Sequence, residues 1–236
     1  MSHSPASSAQ TALTPRPVQP LLTDPVGSAL PDSGEVRGNE WLPLAQAWLP
    51  DAAGAAFRAG WFRLRWSPRL LVVDSVFMSP RPRNAARNLN EPTWELGEVA
   101  ETFIEEDGSR DYLEIHVTPE NQRLQLRFPH GGIERLRSGA AALTSFLISD
   151  AAWAQSFTCV RRDHWASRLI LPASGFRAGF LSEGRTFLGN FSRYDCADAG
   201  DPILSATAPL TEPSYHRRHE WQTFRFSERS DTRGGA

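Results

Sequence analysis

Cysteine is scarce in this chain, with two among 236 residues, and methionine equally so. Cys159 and Cys196 stand too far apart for a CxxC or zinc-ribbon spacing, so no metal knuckle is expected. They read as two buried thiols, since a disulfide between them would need favourable geometry as well. Charge of one sign is lacking too. Twenty-five Lys and Arg against 27 Asp and Glu leave a formal charge of −2. That gives no basic field for nucleic acid or an anionic membrane. No apolar run reaches the ~18 residues a membrane span needs. The amino-terminal stretch has neither a basic n-region nor an uninterrupted apolar core, so no secretory signal is recognisable and the cytoplasm is the default expectation. Absent as well are GxSxG, HExxH and a glycine-rich phosphate loop, the common marks of hydrolytic, metalloprotease and nucleotide chemistry. No enzyme, cofactor or metal is expected.

What remains is ordinary globular material, 40% hydrophobic and 22% charged, with eight Trp and thirteen Phe. Residues 1–34 are rich in Pro, Ser, Ala and Thr, which bury too little apolar surface to offset chain entropy, and they read as a disordered tail. Residues 35–228 read as one β domain and 229–236 as a frayed end. Short alternating runs separated by Gly, Pro and Asn turns, with no long helical period, predict an all-β, two-sheet antiparallel sandwich of jelly-roll type.

Within it, Trp61 to Trp66 alternates, with Phe62, Leu64 and Trp66 on one face. Leu70 to Met78 is apolar on both faces, as a central strand would be. Residues 79–93 form a long polar loop, of the kind usually functional or disordered. Residues 134–148 are ambiguous between helix and strand.

Trp94 to Phe128 is the most informative stretch. Strand alternation over Glu98 to Glu105 puts Val99, Glu101, Phe103 and Glu105 on one face. A carboxylate sent to an apolar face is either paired or used for a ligand. Over Asp111 to Thr118, Leu113, Ile115 and Val117 point one way. Tyr112, Glu114 and His116 point the other, as an outer, solvated face. A hairpin with coincident apolar faces would bring Glu101 near Ile115. Leu124, Leu126 and Phe128 follow as inward residues. Arg193, beside Phe187 and Phe191 in RTFLGNFSRY, is a second charge on an apolar face, and the two are expected to meet. Either they form a ligand site or they are a buried structural ion pair.

Four segments in order, TWELGEVAETFIE, DYLEIHVTPEN, WASRLILP and GNFSRYD followed by YHRRHEWQTFRF, resemble family 9 carbohydrate-binding modules and the related DOMON-like sandwiches. The resemblance spans roughly residues 41 to 228. It implies a sugar held between two Trp walls and read by polar side chains. By position, Trp94 matches the first wall, Glu101 the carboxylate and Asn190 the amide. Arg193 stands where the second Trp would fall, and a flat guanidinium stacks on a sugar differently from an indole. Glu98 stands for the family's usual Asp.

The preferred reading is therefore a non-catalytic binding module whose pocket, formed by Trp94, Glu101, Asn190 and Arg193, takes a saccharide or related polar ligand. A sandwich serving only structure or protein contact is the alternative. A haem-binding DOMON-type domain, with Met78 and His116 or His216 as ligands, is a second. Glycosidase pairing of Glu101 with Glu105 fails, because positions four apart on a strand stand ~13 Å apart at ~3.3 Å per residue. Glu101 with Glu114 fails on the expected faces. HRRH at 216–219 on a strand would send its two His to opposite sides.

Overall fold

The computed structural model describes residues 41–49, 58–106, 108–196 and 201–227, together with the backbone of 34–36. The expected tail and frayed end thus lie almost wholly outside the described residues. Twelve strands are present among the described ones. In chain order they are β1 (Gly34–Val36), β2 (Leu42–Pro43), β3 (Gly60–Ser67), β4 (Leu70–Met78), β5 (Val99–Glu106) and β6 (Tyr112–Val117). Then come β7 (Arg123–Phe128), β8 (Gln155–Val160), β9 (His164–Pro172), β10 (Thr186–Asp195), β11 (Ile203–Ala206) and β12 (Gln222–Ser227). Two short helices, α1 (Thr93–Leu96) and α2 (Gly132–Arg137), interrupt them.

Every strand pairing is antiparallel, giving two sheets. One runs β7-β6-β5-β10-β12, with β11 on the far half of β10. The other runs β3-β4-β9-β8, with β2 on β3. β1 pairs both β12 and β3 and so links the sheets at a corner.

Alternation builds the core between them. Phe62, Leu64, Leu71, Val73, Phe77 and Trp165 of the second sheet meet Ala100, Ile104, Ile115, Phe187, Phe191 and Phe226 of the first. Packing side chains from two inner faces is what lets a strand pattern of period two make a sandwich. β4 is buried on both faces, as its sequence predicts. On its outer side Asp74, with no exposure, lies 2.9 Å from Arg63, 3.0 Å from Arg65 and 2.7 Å from Arg168. Burial alone would push its carboxyl up, but the three guanidiniums together hold it below the usual range.

The first sheet is covered on its other face too. There Phe103, Tyr112, Leu124, Leu126 and Phe128 pack against Ile133 of α2, Phe146, Leu210, Tyr215 and Trp221. This corrects two expectations. Leu124, Leu126 and Phe128 are buried, but in this second layer rather than between the sheets. Tyr112, Glu114 and His116 are not solvated, because they lie on the same covered face. The ambiguous stretch 134–148 is helical where regular, with the end of α2 and a 3-10 turn at Leu143–Phe146. Cys159 and Cys196 are free and half-buried rather than buried. No helix among the described residues is long and apolar enough to cross a membrane.

The expected 79–93 loop has no helix or strand up to Pro92, where Thr93 opens α1, but it is pinned. Asn84 donates from Nδ2 to the carbonyls of Thr93 (2.8 Å) and Glu98 (3.2 Å), while its Oδ1 accepts from the Ala86 amide. Gly97, at φ 143°, lets the chain pass under Arg83, whose carbonyl would lie 2.4 Å from any added Cβ. Gly97→Ala is therefore expected to cost roughly 2 kcal/mol in urea unfolding, from forced φ and steric overlap. It should also shift the fluorescence of the neighbouring Trp94.

Candidate functional site

The covered face of the first sheet carries a cavity of about 370 Å³. Register explains its floor. Glu101 on β5 stands directly opposite His116 on β6 and Ser192 on β10. Directly paired residues share a face, and positions two along do as well. Glu114 and Tyr194 therefore join Glu101, and all of them line the cavity. Leu126, Leu136, Leu143, Tyr215 and His216 complete much of the wall. Trp94 reaches it from α1, set edge-on to His116 with ring centres 5.8 Å apart. The Thr93 hydroxyl beside it lies 2.8 Å from His116 Nδ1, which ties α1 to the sheet.

The polar groups form a chain. Ser192 donates to Glu101 Oε2 at 3.1 Å. His116 Nε2 sits 3.0 Å from Glu114 Oε1 and 3.4 Å from Glu101 Oε1, so one imidazole nitrogen serves two carboxylates. Glu114 Oε2 has no hydrogen-bond partner among the described residues and lies 3.7 Å from His216 Nδ1, which is itself engaged with the Tyr112 hydroxyl at 2.9 Å.

Burial dominates the electrostatics here. It pushes the Glu101 carboxyl up to about 7, with His116 opposing and the negative Glu114 adding. It also raises Glu114, against the pull of His216 and Arg137. Burial lowers both His116 and His216 below the usual imidazole value, with Glu101 and Glu114 respectively opposing. Neutral imidazoles thus stand between acids that hold their protons unusually well. No group of three or more His, Cys, Asp or Glu among the described residues is arranged to hold a metal ion.

Trp94 and Glu101 are brought together at this cavity. Asn190, on the same strand face, is fully buried behind it and accepts from the Ala208 amide at 3.3 Å. The expected meeting of Glu101 and Arg193 does not occur. Since Glu101 pairs with Ser192, residue 193 must point the other way, into the sandwich. There Arg193 donates from Nε to Glu98 Oε1 at 3.1 Å and from Nη2 to the Met78 carbonyl at 3.1 Å. Trp165 Nε1 at 2.6 Å and Ser79 Oγ at 2.9 Å complete the Glu98 carboxylate.

Glu101 and Glu114, expected on opposite faces, in fact share one face and meet at His116. Sequence reasoning set Glu114 and His116 on a solvated face, offered His116 and His216 only as haem ligands, and passed over Tyr194 and Tyr215. Tyr194 had a signal: it is the aromatic next to Arg193, one parity step away. The haem reading finds its His116 with both ring nitrogens engaged, and Met78 on the opposite sheet, paired with His164. Trp94 also borders a second hollow, of about 690 Å³, with Arg83, Arg87 and Glu120.

No family model and no curated protein matches the sequence. Solved structures do match in fold. A family 9 carbohydrate-binding module of Caldicellulosiruptor kristjanssonii in complex with cellotriose aligns at TM-score 0.56 and 14% identity, covering 89% of this chain and 95% of that one. The structure of such a module from the same organism with glucose gives 0.54 and 14%, over 89% and 96%. A protein of Bacteroides uniformis assigned to carbohydrate binding gives 0.58 and 15%, over 79% and 85%. The fold is thus that of the family 9 carbohydrate-binding modules; a DOMON-like relation finds no support in these three.

Proposed function

We propose that this chain is a non-catalytic saccharide-binding module and that the Trp94–Glu101 cavity is its binding site. One observation carries the reading: an aromatic-lined hollow floored by hydrogen-bonding side chains, built on one sheet of a family 9-type sandwich. Sugars offer an apolar C–H face and a ring of hydroxyls, which suit half-buried Trp94 and Tyr194 above carboxylates and imidazoles. At about 370 Å³ the hollow is near the small end of ligand pockets, which run from ~300 to 1,000 Å³, and suits a short saccharide. Asn190 supports the wall from behind. Arg193 acts on the scaffold, and Tyr194 takes the second aromatic place.

The test is calorimetric titration with a panel of mono- and disaccharides. Trp94→Ala is expected to weaken binding tenfold or more while the protein stays folded at a modestly lower melting temperature, because the indole is only half-buried. Failure of the whole panel to bind, or unchanged affinity in the variant, would remove the reading.

A further inference from the structure

Resting on that reading of the cavity, we propose that its saccharide carries a protonated amine, an amino sugar whose ammonium sits at Glu114. Three features of the cavity point there.

The first is an unfilled acceptor. Glu114 is 5% exposed, lines the cavity, and its Oε2 has no hydrogen-bond partner among the described residues. A buried carboxylate oxygen without a donor is costly, and its counterpart is expected to arrive with the ligand.

The second is charge. Glu101 and Glu114 meet at a single nitrogen of His116, so one imidazole proton cannot serve both oxygens fully. His116 and His216 are the basic groups set among the two carboxylates, and burial keeps both neutral. Tyr112, Tyr194 and Tyr215 are buried or half-buried phenols, held neutral by desolvation. Arg137 is a guanidinium of the cavity lining, but it is solvent-exposed and has no carboxylate partner at ion-pair distance among the described residues. Among the described residues the interior therefore holds two acids and no buried cation, and Arg137 opposes the rise of Glu114 only from an exposed position. A neutral sugar would displace water from these carboxylates and supply no charge. A uronic acid would add a third negative group. An ammonium supplies both the missing charge and up to three N–H donors.

The third is the apolar share of the lining, where Leu126, the cross-strand neighbour of Glu114, and Leu136 and Leu143 offer no hydrogen-bonding side chain. Charged recognition in the buried lining therefore rests on the two carboxylates, which suits a ligand with one dominant polar group.

The experiment titrates glucosamine, N-acetylglucosamine, glucose and glucuronate into the full chain at pH 6.5, in two buffers of different ionisation enthalpy. Glucosamine is expected to bind at least tenfold tighter than glucose. N-acetylglucosamine, which keeps the nitrogen but not its charge, should bind no better than glucose, and glucuronate should not bind. Glucosamine should also release protons to the buffer, because an ammonium drives Glu101 and Glu114 to ionise. Glu114→Gln should bring glucosamine and glucose within about threefold of each other. Should that variant not fold, the wild-type ratio and the proton release still decide. Glucose binding as tightly as glucosamine, without proton release, would overturn the amine while leaving the saccharide-binding reading intact. No binding by any of the four would overturn both.

Discussion

Arg193→Ala is expected to destabilise the protein by about 3–5 kcal/mol, as a buried ion pair does when one partner is removed. Arg193 and Glu98 both have no exposure, and the guanidinium also donates to backbone carbonyls at Met78 and Arg58. Its removal would strand Glu98, with Asp195 close by as a second carboxylate 3.2 Å from the lost Nη2. Burial already holds the Glu98 proton more tightly than usual, with Arg193 opposing and Asp195 adding. Without Arg193 that carboxyl would rise further. A raised carboxyl binds protons in the native state that the unfolded chain has released, so stability falls as pH rises through that window. The loss in Arg193→Ala should accordingly be smaller at pH 5 than at pH 8. Arg193→Met with Glu98→Gln should recover most of it, since neither residue then carries charge. Urea unfolding of the two variants at both pH values checks this, and Arg193→Ala within 1 kcal/mol of wild type would contradict it. Saccharide binding by the folded fraction should persist, because Arg193 faces away from the cavity.

The same residue shows how far one sequence can be read. Alternation over β3 and β6 located strands and inward residues, and the doubly apolar run of β4 marked a central strand, because such patterns need no partner to be visible. It also showed that Glu101 and Arg193 are charges among apolar neighbours. What it could not supply is which face of a sheet a distant segment covers. Residues 129–150 and 207–221 lie over the first sheet, and nothing local to β5 or β6 announces them. Glu114 and His116 therefore read as solvated although they are as buried as the core. Register between distant strands is the second gap. Setting β10 one residue differently against β5 exchanges Arg193 for Tyr194 at the cavity, since a one-residue slip turns every side chain to the other face. Trp94 was legible as a candidate through the family resemblance of its segment. The role of Thr93 beneath it, tied to His116, depends on a contact 23 residues away in sequence.

Glu101→Gln is expected to stabilise the protein at alkaline pH by about 3 kcal/mol and to lose that advantage on acidification. The Glu101 carboxyl is raised from 4.5 to about 7, chiefly by burial. Above pH 7 the native state must carry a desolvated charge that the unfolded chain solvates freely, at ~1.4 kcal/mol per pKa unit. Below about 4.5 the group is protonated in both states, and that penalty is gone. Glutamine carries no charge at any pH and still accepts from Ser192, so the gap between variant and wild type reports Glu101 together with its coupling to His116. His116 and His216 work in the opposite sense. Their lowered values mean that the unfolded chain takes up their protons first, so their contribution is lost as pH falls below 6.5. The wild-type profile should consequently be rather flat, and only the difference between the two proteins reveals the carboxyl. Chemical unfolding at pH 8.5 and pH 5 is the measurement. The difference should fall to about 1 kcal/mol or less at pH 5, and an equal difference at both pH values would show that burial does not hold this proton. Because the substituted residue floors the cavity, the stabilised variant should bind its saccharide more weakly at pH 8.5, the expected trade when a strained group is kept for a ligand.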